Sequence, residues 1–432
     1  MSDRRKLPTS RLRRLLSVAG TTARSGATLL AGLDADSAAK KAAESLGQLR
    51  GLAAKIGQMA SYVDGVIPEE QSHHYERWMK RLRDNAPTSS PVAVRELVET
   101  QLGQPMGDLF QTWVEEPVAS ASIGQVHRAV LKNGQVVAVK VQHPGIAEAM
   151  ENDLKSAGLI EGALGVVGGL RKFNSKNILE EIRERFREEL DYSLEADRQR
   201  LFSELFRDDE HIQIPEVISS HCAQRVLTSE WVEGMKFDEA CEAPKDRRKL
   251  WAETLWHFVY KSNLIGGLFN ADPHPGNYFF RPDGGVIFMD FGCVQPLGPG
   301  SLKYARPMHW AARHRDLAAF DDAARGLLEL KGGAYEPRAL EYVRECFRPL
   351  SEAPFHMTRD YVVGLVDTMK SLFKEFRKGE GDGYVPLPDG LFFVNRLQFG
   401  FYSVLARLDV EADYAAVESR FLTREALEGL PN

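Results

Sequence analysis

The 432-residue sequence predicts an α+β chain with a strand-rich lobe, then a helix-rich lobe, and a helical extension in front of both. Three observations carry this. Val136 to Val141 reads Val-Val-Ala-Val-Lys-Val, β-branched and apolar except at Lys140, the pattern of a half-buried strand. Asn133-Gly134 just before it is a hairpin signal, so a partner strand is expected at about Gln125 to Leu131. From about residue 233 helical patterns dominate, interrupted by one hairpin-like piece, Tyr278-Phe279-Phe280 and Val286 to Met289 across a Pro-Asp-Gly-Gly turn.

The elements follow in order. Residues 1–90 read as a helical extension punctuated at Pro68 and Pro87 to Pro91, with one helix from Ala38 to Met59. Residues 91–232 form the mixed lobe. A single helix is expected there from about Asn177 to Glu195, striped by Ile178, Ile182, Phe186 and Leu190. On such a helix Glu189 and Glu195 point about 120° apart, so two separate lysines are needed to partner them. Further strands are expected near Ile212 to Ile218 and Arg225 to Val232. A hinge follows at Glu230 to Gly234, and residues 233–432 form the helical lobe.

Composition narrows the function classes. With 43% hydrophobic and 27% charged residues the chain has the make-up of a globular protein, and a net charge of −6 gives no case for a nucleic-acid partner. Cys222, Cys241, Cys293 and Cys346 are scattered without a C-x-x-C pair, against a disulfide framework or zinc site and for a reducing, cytoplasmic setting. No run reaches the roughly 18 uncharged apolar residues of a spanning helix, and no apolar run follows the basic start as a secretory signal requires. Residues 1–25 carry seven Lys/Arg against Asp3 alone, with Leu12, Leu15, Leu16 and Ala19 on one helical face. That arm is either packed or disordered, or a peripheral contact with a membrane surface.

Four sequence features point to phosphate chemistry. Lys140 in an apolar strand either snorkels to solvent or meets an anion. The loop Ala119-Ser120-Ala121-Ser122-Ile123-Gly124-Gln125 precedes it; its small side chains permit either a tight turn or close approach of backbone N–H groups to phosphates. Asp272-Pro-His-Pro-Gly-Asn277 sets an Asp and an Asn five apart, so that the Asp can orient or deprotonate a hydroxyl while the Asn holds a metal. His274 within it reads as structural. Asp290-Phe291-Gly292 follows a short strand, where a magnesium-binding Asp belongs. Each is weak alone. Together, in this order and on these elements, they follow the plan of a bilobal kinase.

With Lys55-Ile-Gly-Gln58, the 119–129 segment, Val-Ala-Val-Lys140, Glu189-x-Asp191-Tyr and Asn-Ala-Asp-Pro-His-Pro-Gly-Asn over 270–277, the chain resembles the UbiB/AarF/ADCK atypical kinases from about residue 45 to 300. The resemblance implies a bilobal protein-kinase-like fold whose N-terminal extension, carrying K-x-G-Q, folds back over the active site. It implies ATP or ADP with Mg²⁺. The catalytic set is Asp272, Lys140 and Glu195, with Lys140 paired to Glu195. The nucleotide contacts are Ala119, Ser120, Ala121, Ser122, Gly124, Gln125, Lys140, Glu230 and Val232, and the metal ligands are Asn277 and Asp290. Lys55, Gln58, Glu189 and Asp191 form a regulatory group in which Lys55 meets Glu189 or Asp191.

The activity implied is that of an ATPase or a small-molecule or lipid phosphotransferase supporting ubiquinone biosynthesis or lipid homeostasis. The implied partners are a lipid or quinone-precursor ligand, quinone-biosynthesis proteins and a second copy of the chain, at the cytoplasmic side of the inner membrane. The extension obstructs a peptide substrate, and no A-P-E follows D-F-G, since Cys293 to Gly300 runs into a new helix; both argue against phosphorylation of proteins in trans. The chain departs from relatives that carry C-terminal spanning helices, and its aromatic stretch Leu391 to Leu408 reads as core. A binding module, a nucleotide-sensing pseudokinase, is the alternative. The presence of Lys140, Asp272, Asn277 and Asp290 together favours the enzyme.

Overall fold

The computed structural model describes residues 88–120, 123–154, 184, 186–270, 272–376 and 391–428. The extension with its basic arm, Lys55 and Gln58, and the loop residues Ala121 and Ser122, lie outside the described residues. The chain divides into two compact units, Met1–Arg200 with Pro215–Val232, and Leu201–Ile214 with Glu233–Asn432.

The first six strands of the described chain are β1 (Phe110–Trp113), β2 (Ala119–Ser120), β3 (Gly124–Leu131), β4 (Val136–Gln142), β5 (Ile212–Gln213) and β6 (Val226–Glu230). All but β5 form the sheet of the first unit, antiparallel in the order β1-β3-β4-β6 with β2 beside β3. The Asn-Gly turn sets the β3–β4 register. Gly134 takes a φ of +86°, and the Gln135 N–H donates to Asn133 Oδ1 at 3.0 Å. Alternation along β4 buries Val137, Val139 and Val141 completely on one face. They pack with Val94 and Val98, four apart on the helix Pro91–Leu102, and with Leu109 and Phe110. Burial of each such side chain contributes roughly 1.5–3 kcal/mol, so helix stripe and sheet face hold one another.

Two expectations fail here. The expected strand Ile212 to Ile218 splits at Pro215, which has no N–H for a ladder. Ile212–Gln213 pairs in parallel with Val286 and Ile287 in the second unit, whereas Val217 makes an isolated bridge to Ser229 in the first. The expected helix Asn177 to Glu195, of which 177–183 and 185 lie outside the described residues, is interrupted before its end. Glu189 and Leu190 form a turn, and a new helix, Tyr192–Leu205, starts beyond Asp191, whose carboxylate accepts from the N–H groups of Ser193 (3.0 Å) and Leu194 (3.4 Å). An Asp that caps the next helix stops the previous one, so the 120° separation of Glu189 and Glu195 does not apply.

The second unit is built on the helix Lys245–Leu264, where Trp251, Ala252, Leu255 and Trp256 are fully buried. Beside it run β7 (Leu268–Asn270), β8 (Tyr278–Phe280), β9 (Val286–Phe288), β10 (Val294–Pro296), β11 (Phe355–His356) and β12 (Glu411–Ala412). The hairpin β8–β9 forms across the expected turn. Beyond the one hairpin read from the sequence, β7 pairs with β10 and β11 with β12. Residues after Gly292 therefore do not pass straight into helix: β10 precedes the helix Pro299–His314. The segment reads ambiguously because a three-residue strand leaves almost no period-2 signal.

Residues beyond 300 are mainly helices. In the helix Leu391–Leu408, Phe399, Phe401 and Tyr402 are buried in the aromatic core around Trp256. Buried Glu418 accepts from Trp256 Nε1 (3.1 Å) and lies 3.1 Å from His309 Nδ1. Among the described residues no helix is long and apolar enough to cross a membrane. All four cysteines are free thiols.

Candidate active site

The period of β4 that buries three valines turns Lys140 to the opposite face. There its Nζ donates to Glu195 Oε1 at 2.6 Å; the Glu195 side chain is 3% exposed and that of Lys140 21%. Glu195 lies in the first turn of the helix begun by Asp191. That start is tied down twice, by Tyr192 N–H donating to Gln224 O (2.9 Å) and by Gln142 Nε2 donating to Leu190 O (2.7 Å). The fully buried Tyr192 ring lies under the Lys140 ammonium, 5.0 Å from Nζ to the ring centroid.

Of the serine-alanine loop, Ala119 and Ser120 form β2, antiparallel to the start of β3, with Ala119 opposite Val126 and Ser120 opposite Gln125. A side chain at Gly124 would lie 2.4 Å from Tyr192 Oη and 2.7 Å from Val141 O, so close packing by itself demands glycine there. Ser120 Oγ is buried with no hydrogen-bond partner among the described residues. Gln125 differs from expectation. Its buried amide accepts from Ser89 N–H (2.8 Å) and donates to His127 Nε2 (2.8 Å), while His127 Nδ1–H donates to Val114 O (2.9 Å). The Gln125 side chain thus serves the lobe's interior, not a nucleotide. Glu230 sits on β6 opposite Val137, its N–H donating to Glu216 O (2.8 Å), and the half-buried Val232 ends the unit. Glu189 is buried in the turn before Asp191.

In the second unit, the loop from Asp272 to Asn277 closes on itself. Asn277 Nδ2 donates to Asp272 O (3.3 Å) and Oδ2 (3.4 Å), leaving the Asn277 amide oxygen turned from that contact. His274 Nδ1 accepts from Gly276 N–H at 2.8 Å, which places the proton of the neutral ring on Nε2 and caps the turn Pro275–Asn277. Pro273 is buried against Gly400, where a Cβ would come within 2.7 Å of Pro273 Cγ. Burial, with the nearby Asp272 charge second, pushes the Tyr278 hydroxyl well up. Asp290 Oδ1 accepts from Gly292 N–H (3.0 Å), and fully buried Phe291 packs on Phe202 with ring centroids 5.0 Å apart.

Asn270, at the end of β7, joins the two loops. Its Oδ1 accepts from Asp272 N–H at 3.1 Å, and its Nδ2 donates to Asp290 O at 2.7 Å. Asn270, Tyr192 and Gly400 were not singled out from the sequence. The first two stand inside recognisable motif segments, and nothing in the sequence marks the third.

The donor chemistry fits magnesium held jointly with phosphate. Asp290 and Asn277 offer hard oxygens, and among the described residues no group of three or more His, Cys, Asp and Glu side chains could hold a metal alone. Mg²⁺ characteristically takes one or two carboxylates and completes its shell with water and substrate phosphates.

A family model described as the ABC1 atypical kinase-like domain matches residues 81–322. The chain is 29% identical over 81% of its length to the Arabidopsis thaliana chloroplastic protein ACTIVITY OF BC1 COMPLEX KINASE 7, spanning 52% of that relative. It is 30% identical over 69% of its length to the Rattus norvegicus mitochondrial atypical kinase COQ8B, spanning 60% of that protein. The chain thus covers about half the length of the Arabidopsis relative. Among solved structures, the Rv3197–erythromycin complex from Mycobacterium tuberculosis is similar with a TM-score of 0.61 at 29% identity, covering 87% of this chain and 93% of that one. The match spans the strand lysine, the Asp-to-Asn loop and the D-F-G segment, and the chain belongs to the ABC1 atypical kinase-like family, the UbiB/ADCK group.

Proposed function

We propose that the chain is a Mg²⁺- and ATP-dependent atypical kinase-like enzyme, an ATPase or a phosphotransferase acting on a lipid or small molecule, that supports isoprenoid quinone biosynthesis or lipid homeostasis. The observation that carries the reading is the Lys140–Glu195 pair at 2.6 Å, with the Glu195 carboxylate almost fully buried. A buried carboxylate against a partly open ammonium costs desolvation that apolar residues of similar volume would avoid. It holds the lysine where its ammonium can meet a phosphate oxygen.

In this reading Lys140 binds the α- and β-phosphates, held by Glu195 and the Tyr192 ring, and Ser120 Oγ adds a phosphate contact. Asp272 orients the attacking hydroxyl or water and accepts its proton. Asn277 Oδ1 and the Asp290 carboxylate hold Mg²⁺, which neutralises charge on the phosphates when bound. Lys55 and Gln58 regulate the site together with Glu189 and Asp191. The COQ8B relationship supports the quinone assignment. The basic arm is the candidate membrane contact, with a quinone precursor or lipid as ligand and quinone-biosynthesis proteins or a second copy as partners.

The test is Mg²⁺-dependent ATP turnover by the purified chain, with and without anionic vesicles carrying a quinone precursor, beside Asp290→Asn. Turnover that depends on Mg²⁺ and disappears in the variant is the expected result. Nucleotide binding without turnover under any lipid condition would replace the enzyme by a nucleotide-sensing pseudokinase.

A further inference from the structure

We propose that Asn270 is a positioning residue that fixes the spacing of the two magnesium-binding loops, and that its loss weakens Mg²⁺ uptake selectively. This inference rests on the nucleotide-binding reading above.

Three contacts converge on this one residue. Its backbone, the last position of β7, pairs with Val294 of β10, just beyond the D-F-G segment. Its side-chain Nδ2 donates to the Asp290 carbonyl at 2.7 Å, at the start of that segment. The stretch from Asp290 to Val294 is therefore pinned at both ends to Asn270. Its side-chain Oδ1 accepts from the Asp272 N–H at 3.1 Å, fixing the first amide of the other loop.

That second loop carries Asn277 at its far end, and Asn277 in turn contacts Asp272 through Nδ2 and receives Met289 N–H on its carbonyl at 3.1 Å, one residue before Asp290. The amide of Asn270 is a direct side-chain tie between the two segments. Only a side chain with a donor and an acceptor on one short planar group can make both bonds at once. A carboxylate lacks the donor, and a hydroxyl is too short to reach both loops.

A metal held partly by each loop needs both at one separation, because Mg²⁺ tolerates little departure from octahedral geometry. Phosphate contacts from Lys140 make no such demand on these loops. Removing the tie should therefore separate metal binding from nucleotide binding.

The experiment measures a fluorescent ATP analogue binding to the full chain across a Mg²⁺ titration and again in EDTA, with thermal melting alongside. The variants are Asn270→Leu, which keeps the size, and Asn270→Ser, which keeps a polar group and serves if the first folds poorly. The expected result is a Mg²⁺ half-saturation raised about tenfold, the loss of a part-buried hydrogen bond with its partner left unsatisfied. Affinity in EDTA should stay within about twofold, and Asn270→Ser should follow the same direction.

An unchanged Mg²⁺ half-saturation in a folded variant overturns the inference and leaves the nucleotide site intact. A parallel fall of both affinities together with the melting temperature also overturns it, since that is loss of fold. Absence of Mg²⁺-dependent nucleotide binding in the unsubstituted chain overturns the proposed function, and this inference with it.

Discussion

Lys140 Nζ lies 2.6 Å from Glu195 Oε1, across 55 residues of sequence, on the face of β4 opposite the valine core. The pair is local to the first unit, so its loss can be read in both stability and ligand binding. Glu195→Ala leaves a partly buried ammonium without its carboxylate and is expected to destabilise the chain by about 1–3 kcal/mol. Lys140→Met combined with Glu195→Gln should recover most of that in urea unfolding, because neither charge remains. Nucleotide affinity should stay down in the double variant. Its recovery along with stability would show the pair to be structural only.

Asp290→Asn separates charge from geometry. The Asn Oδ1 can still accept from Gly292 N–H, as Asp290 does at 3.0 Å, so the turn persists. The melting temperature should change by a few degrees at most, while Mg²⁺-dependent turnover falls roughly 10²–10³-fold. Asp272→Asn should do the same to turnover and leave nucleotide binding near its original affinity.

Gly124→Ala is expected to be severe. Its Cβ would meet Tyr192 Oη at 2.4 Å and Val141 O at 2.7 Å, and the second is backbone. A loss of about 1–3 kcal/mol or more in urea unfolding is expected, in the range of overpacked cores. Tyr192→Phe should restore only part of it, because the Val141 carbonyl stays. Full restoration would place the strain on the tyrosine alone.

Gly400→Ala should disturb activity more than folding. In a helix interior alanine gains about 1 kcal/mol over glycine, which offsets the push against Pro273 Cγ at 2.7 Å. Pro273 directly follows Asp272, so the displacement reaches the loop of the proposed general base. The expected result is a nearly unchanged melting temperature with turnover reduced about tenfold or more, since small misplacements of reacting groups are costly.

Stability should fall in mild acid. Burial lowers the His127 imidazole, against the opposing pull of the Val114 carbonyl, Glu115 and Glu116. Burial likewise brings His257 down to about 4, helped by Lys261 and Arg420 and opposed by Asp209, whose charge Lys261 Nζ already meets at 2.5 Å. A base with a folded pKa below its unfolded one binds fewer protons when folded. Its contribution is complete above about 6.5 and is lost as pH falls toward the folded value. His257 alone should account for at most about 2 kcal/mol of loss at pH 5. His257→Gln should flatten the dependence of the urea midpoint between pH 7 and 5, and an unaltered slope would contradict this assignment.

Much of the architecture was legible in local patterns. The Asn133-Gly134 turn and the alternating valines of β4 act between neighbours in sequence, so the hairpin and the placing of Lys140 on the face opposite the valines follow from them. The hairpin β8–β9 was legible for the same reason. Where the sequence misled, a single residue outweighed a period: Pro215 divided an apolar run between two sheets, and Asp191 ended one helix by capping another. Very short strands such as β10 carry too few residues to show alternation.

What the sequence by itself determined is the family and the chemical inventory: one strand lysine, two loops of hard oxygen donors and a helix with a carboxylate, each recognisable from residues close together in the chain. Only the tertiary structure decided which atoms meet. It gave Gln125 to Ser89 and His127 in the interior, set Gly124 under Tyr192, seated Pro273 on Gly400 and made Asn270 the link from Asp272 to Asp290. Those contacts join residues up to 127 positions apart, as with Pro273 and Gly400. Side-chain hydrogen bonds and van der Waals limits act over a few ångströms of space, and sequence periodicity carries no record of that proximity.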